Sequence, residues 1–143
     1  MANFSSDDQR EWERTRHESL KSDAIWSLDA YRAALYFRFL AKPDCALIRR
    51  LLPDEELAPQ LAKSSGSISS NICEGYSRAT APDRKRFYGY SLGSTRECIN
   101  WYEDARGTLP EETIDARQLL LARIRALVLG LIGPHDPDGN FER

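Results

Sequence analysis

Residues 64–78 read SSGSISSNICEGYSR, a run rich in serine, glycine and asparagine, which form caps and turns more readily than helix interiors. Yet Ile68 and Ile72 stand four apart, as on one face of a helix. The stretch is either a loop that holds something or a helix whose small face is made for close packing. Its surroundings decide for the helix: Leu61, Ser64, Ile68, Asn71, Ile72 and Gly75 follow three- and four-residue spacings. Pro59 then belongs in the opening turn, where its missing N–H costs nothing, and the helix ends within EGYSR.

Working outward, TAPDRKRF is a start signal for the next helix. Thr80 is its cap, Pro82 lies in the first turn and Asp83 stands three after the cap. This helix carries two stripes, Phe87, Ser91, Ser94, Cys98, Trp101 and Ala105, and Tyr88, Leu92, Thr95, Ile99 and Tyr102, with Gly107 as its C-cap. TLPEET repeats the grammar, with Thr108 as cap, Pro110 in the first turn and Glu111 at the box position. Ile114, Leu121 and Val128 recur every seven residues and are joined by Ile124 and Leu131, with Leu120 and Leu127 widening the face. Upstream, Ser22 reads as a cap with Asp23 in the positive first turn. Trp26, Ala30, Ala33, Phe37 and Leu40 then form a stripe that Pro43 ends. Residues 43–53, PDCALIRRLLP, read as a short helix between two prolines, and the helix of the opening stretch begins after them near Asp54.

Neither strand alternation nor a hairpin signal occurs. Four long amphipathic segments on short connections predict an all-α fold, an antiparallel up-and-down four-helix bundle. The expected organisation is a mobile N-terminal arm over 1–21, the bundle over 22–132 and a disordered polar tail over 133–143.

Composition narrows the function. The chain has 143 residues, 20 basic against 22 acidic ones, a net charge of −2 and an apolar fraction of 41%. That balance weighs against wholesale coating of nucleic acid. The longest apolar run, ALVLGLIG, is far too short for a membrane span, and the acidic N-terminus is no secretory signal. Cys45, Cys73 and Cys98 are odd in number and lack CxxC spacing, which argues for buried thiols in a reducing, cytoplasmic setting rather than a disulfide framework or zinc site. His17 and His135 fall in the two expected tails, and neither follows a glutamate by three, so no di-iron or zinc bundle is expected. Glu74 and Glu97 have the chemistry of an acid/base pair but no accompanying catalytic group. They read as structural carboxylates, and no cofactor or enzymatic activity is expected.

The strongest binding candidate is DRKRF. Arg84, Lys85 and Arg86 lie in a first helical turn, where backbone amides and the dipole favour an anion. With Lys63, Arg78 and Arg96 they form the candidate nucleic-acid contacts, and residues 60–100 hold six basic residues against three acidic ones. The alternative is a solvated charged face.

SISSNICEG followed by RKRFYGYSLGSTRE resembles the paired signature of the bacterial four-helix-bundle proteins encoded by intervening sequences in large-subunit ribosomal RNA genes. Those proteins typically read S-I-P-x-N-I-A-E-G and then R-F-L-x-x-A-x-G-S-x-x-E. The match runs through Ser67, Ile68, Asn71, Ile72, Glu74 and Gly75, then Arg86, Phe87, Gly93, Ser94 and Glu97. Ser69, Cys73 and Tyr88 stand where the family has Pro, Ala and Leu. The resemblance implies structural roles for Ser67, Asn71, Glu74, Gly75, Gly93, Ser94 and Glu97. As in the related accessory variability determinant of diversity-generating retroelements, it also implies a ring-like homopentamer. Those accessory proteins associate with a reverse transcriptase and nucleic acid. The resulting expectation is a noncatalytic oligomeric scaffold or adaptor with a protein or ribonucleoprotein partner. The alternative is a nucleic-acid-binding accessory protein that uses the basic cluster. Trp101, Tyr102 and the Leu120/Leu127 edge are expected near subunit contacts.

Overall fold

The computed structural model describes residues 6–134, so His135 and most of the expected tail lie outside the described residues. Among these the fold is all-helical: α1 (Ser6–Arg14), α2 (Glu18–Lys21), a 3-10 turn (Ala24–Ser27), α3 (Asp29–Leu51), α4 (Leu57–Tyr76), α5 (Ala81–Asp104) and α6 (Glu111–Ile132). The four long helices pack in succession, α3 on α4, α4 on α5 and α5 on α6, and α6 also meets α3. Their shared core holds Phe37, Ile48, Leu61, Ile68, Ile72, Tyr102, Ile114, Leu121, Ile124 and Val128, all fully buried. No helix among the described residues is long and apolar enough to cross a membrane.

Two helices, α1 and α2, lie within the expected mobile arm. Asp7 and Asp8 sit in the first turn of α1, where they favour the helix dipole. Gln9 is buried, and the Trp12 ring lies 5.4 Å from Tyr36 and 5.7 Å from Phe39. Trp12, together with the Glu13–Arg32 ion pair at 3.3 Å, docks the segment onto α3. His17, expected in a mobile tail, caps α2 by accepting the Ser19 N–H through Nδ1 at 3.1 Å.

Ser22 is the C-cap of α2 rather than an N-cap. Asp23 takes the capping role, accepting the Ile25 N–H at 3.0 Å, and the long helix starts only at Asp29. Pro43 does not end it. Proline deprives the Phe39 carbonyl of its helical donor, but Pro43 and Phe39 are exposed, so that loss falls on the solvent side. The buried stripe continues past it through Ala41, Asp44, Cys45 and Ile48, and this packing carries α3 through to Leu51. The separate short helix expected over 43–53 is therefore the last part of α3.

The start of α5 follows the sequence reading: the Asp83 N–H donates to Thr80 Oγ1 at 3.4 Å and proline occupies the first turn. The end of α5 and the start of α6 differ from it. Ala105, not Gly107, caps α5. Gly107 instead turns the chain at φ +84°, a conformation open to glycine. Pro110, not Thr108, is the N-cap of α6.

Candidate functional site

The small face of the opening stretch builds the α4–α5 contact. The Ser91 hydroxyl donates to the Ile68 carbonyl at 2.8 Å across the interface. The Cys98 thiol donates to Ser64 Oγ at 3.4 Å, and that hydroxyl in turn donates to the Gln60 carbonyl at 2.9 Å. Further along, a Cβ on Gly75 would lie 2.7 Å from the Tyr88 ring. The pairings Ser64 with Cys98 and Gly75 with Tyr88 run in opposite chain directions, so α4 and α5 are antiparallel.

The remaining motif residues lie off this seam. Ser67 and Asn71 are half-buried, and their side chains bond back into α4, to the Lys63 carbonyl at 3.0 Å and the Ser67 carbonyl at 2.8 Å. Glu74 is exposed and pairs with Arg78 at 3.0 Å. Gly93 and Glu97 are exposed and Ser94 is half-buried. Glu74 and Glu97 therefore do not share a buried site. Among the described residues no cluster of His, Cys, Asp or Glu could hold a metal ion.

The basic residues divide. Arg84 Nη1 donates to the Arg78 and Ala79 carbonyls at 3.2 and 3.1 Å, which ties the start of α5 to the connection from α4. Arg86 pairs with Asp83 at 3.2 Å. Arg78 and Arg86 both lie over the Phe87 ring, at 4.5 and 5.0 Å from its centroid. Tyr90, 51% exposed, meets Phe87 edge-on at 5.6 Å. Lys63 stands thirteen residues before Tyr76, the last residue of α4, so about 20 Å of helix axis separate it from the end of α4 that leads to Arg78. Lys63 thus does not join the others, whereas Arg78, Arg86, Phe87 and Tyr90 gather at one corner. Exposed pairs such as Glu74–Arg78 and Asp83–Arg86 contribute little stability, so both arginines remain exchangeable with another anion.

The polar centre that the sequence reading missed lies deeper. Asp44 Oδ2 accepts from the Tyr102 hydroxyl at 2.6 Å and from Arg117 Nε at 2.7 Å, linking α3, α5 and α6. Burial, followed by the Asp44 charge and hydrogen bond, holds the Tyr102 phenol far above its ordinary range. Burial alone would weaken protonation of Arg117, but the bond and charge of Asp44 outweigh it and raise the guanidinium's pKa. Arg38 makes a related link, donating from Nη1 to the Ala62 carbonyl and Ser65 Oγ, each at 2.7 Å. The available signal was a charge within an apolar stripe, as Asp44 stands among Ala41, Cys45 and Ile48.

Tyr102 and Leu120, expected near subunit contacts, are fully buried within the chain, and the exposed leucine of that helix is Leu119 at 60%. Cys45 and Cys98 are buried as expected, but Cys73 is exposed. Burial pushes the Cys45 thiol up to about 11 and the Cys98 thiol up to about 12. Both are raised above the ordinary value near 8.5. Their contribution to stability is therefore complete below that value and is lost as pH rises through the folded ones. A thiol reagent at pH about 8 is expected to modify Cys73 alone in the native protein and all three thiols after denaturation. Rapid native labelling of Cys98 would contradict the buried interface.

With this geometry, comparison with known proteins is direct. The model of the 23S rRNA-intervening sequence protein family matches residues 47–130, the span from late α3 nearly to the end of α6. The chain belongs to this family. The matched span includes the Ser64–Cys98 and Gly75–Tyr88 contacts of the α4–α5 seam. Among solved structures, a Bacteroides thetaiotaomicron protein of unknown function from the S23 ribosomal protein family superposes with a TM-score of 0.69 at 18% identity, covering 73% of this chain and 99% of that one. The likeness is one of fold. No curated protein matches the chain.

Proposed function

We propose that this 23S rRNA-intervening sequence family member is a noncatalytic scaffold or adaptor: an antiparallel up-and-down four-helix bundle assembled as a ring-like homopentamer. The observation that carries the reading is the use made of the family motif. Its Gly75 is committed to close helix packing, together with the neighbouring Ser64 and Ser91 of the same seam, while Phe39, Leu51, Tyr76, Tyr90 and Leu119 stay exposed on the surface. Such side chains favour association with another chain where they gather into a patch. Absolute mass by light scattering after size exclusion tests this. A multi-chain particle is the expected result, five chains supports the pentamer, and a monomer at tens of micromolar overturns the scaffold.

A second reading is favoured by the corner formed by Arg78, Arg86, Phe87 and Tyr90, where cations and aromatic rings suit the phosphates and bases of single-stranded RNA. Arg84 is a poor probe because it holds the α4–α5 connection against α5. Lys85→Glu/Arg86→Glu is the better variant. It is expected to retain the fold, to abolish a shift with a single-stranded RNA oligonucleotide and to remove its salt dependence. No shift by the native protein at low salt excludes this role.

A further inference from the structure

Between the N-terminal helices and α3 lies a cleft of about 240 Å³ with an apolar floor formed by Trp12, Leu20, Leu35 and Phe39. Its rim is cationic: Arg16, Arg38 and Lys42 line it, and no acidic side chain among the described residues does. Arg16 lies 4.4 Å over the Trp12 ring. Every charged side chain at this cleft is a cation, so the occupant that matches it brings negative charge together with an apolar body.

The chain itself presents such a segment. Residues 51–57 read LLPDEEL. Leu51 is 50% exposed, and Asp54, Glu55 and Glu56 follow in an exposed connection between α3 and α4. None of these three carboxylates makes an ion pair among the described residues. The segment cannot fold back into its own cleft. Leu51 ends the same continuous helix that carries Lys42, nine residues earlier, about 13 Å away along a rigid axis.

We propose that the cleft of one copy receives the 51–57 segment of a second copy, with Leu51 against the Trp12–Phe39 floor and the acidic run against Arg16, Arg38 and Lys42. The two patches differ, so the contact is heterologous and each copy offers the next a free cleft. Such a contact closes into a ring or continues as a filament.

This inference rests on the oligomeric reading, and charge exchange separates the two. Light scattering across a dilution series of the full chain measures assembly, and circular dichroism confirms folding. Lys42→Glu places like charges together, and so does Glu55→Lys. Each is expected to weaken assembly about tenfold or more. The double variant Lys42→Glu/Glu55→Lys is expected to recover to within about threefold of the native protein, because the charges are exchanged rather than lost. Assembly insensitive to both single changes, or weakened without mutual rescue, overturns this interface and leaves the scaffold standing. A strictly monomeric native protein overturns both.

Discussion

Asp44→Ala is expected to destabilise the fold by about 3–5 kcal/mol, the cost of removing one partner from a buried ion pair. Asp44 exposes 10% of its side chain and Arg117 17%, so the guanidinium left behind would have little solvent in place of the carboxylate. Tyr102 is fully buried, and its hydroxyl would lose its acceptor at the same time. Tyr102→Phe is a milder change, since it removes the phenol donor while Asp44 keeps Arg117. About 1 kcal/mol is expected there. Urea unfolding with a constant m-value measures both. The double variant Asp44→Leu/Arg117→Met removes both charges together and is expected to recover much of the loss, because apolar substitutes avoid the desolvation of two ions. A loss below about 1 kcal/mol for Asp44→Ala would contradict a buried role for the pair.

Legibility follows the range of the interactions. The stripes of α4, α5 and α6 were readable because a buried helix face repeats every three or four residues and needs no knowledge of its neighbour. Thr80 was readable for the same reason, since a cap and the N–H it accepts lie within one turn. Pro43 misled because its cost is local while its compensation is not: α3 continues through it because Asp44, Cys45 and Ile48 are buried against other helices. The docking of α1 was invisible, as Trp12 is the one large apolar residue in SDDQREWER and its partners Tyr36 and Phe39 stand more than twenty positions away. The Asp44–Tyr102–Arg117 centre was hidden likewise, joining residues 58 and 73 positions apart. The basic cluster was read as one patch from its sequence density. Helix geometry sends Lys63 to the far end of α4 and turns Arg84 onto backbone carbonyls, leaving Arg78 and Arg86 with Phe87.

Gly75→Val is expected to cost about 3 kcal/mol, at the upper end of overpacking in a filled core. A Cβ there lies 2.7 and 2.9 Å from two atoms of the Tyr88 ring and 3.1 Å from the Arg84 carbonyl. Tyr88 is itself buried, so the ring cannot swing into solvent without losing its own contacts. The other motif glycine supplies the contrast. A Cβ on Gly93 meets nothing within 4 Å, and Gly93 is exposed in the middle of α5. Gly93→Ala should therefore stabilise by about 0.5–1 kcal/mol through reduced freedom of the unfolded chain. Opposite signs at two glycines of one signature would separate close approach from helix propensity as the reason each is glycine. A double-mutant cycle then tests the cause at Gly75. If the Tyr88 ring is the obstacle, Tyr88→Leu should reduce the penalty of Gly75→Val by more than about 0.5 kcal/mol, the limit expected of independent sites. If the penalty is unchanged, the obstacle is the Arg84 carbonyl, and the spacing of α4 and α5 is set by backbone against backbone.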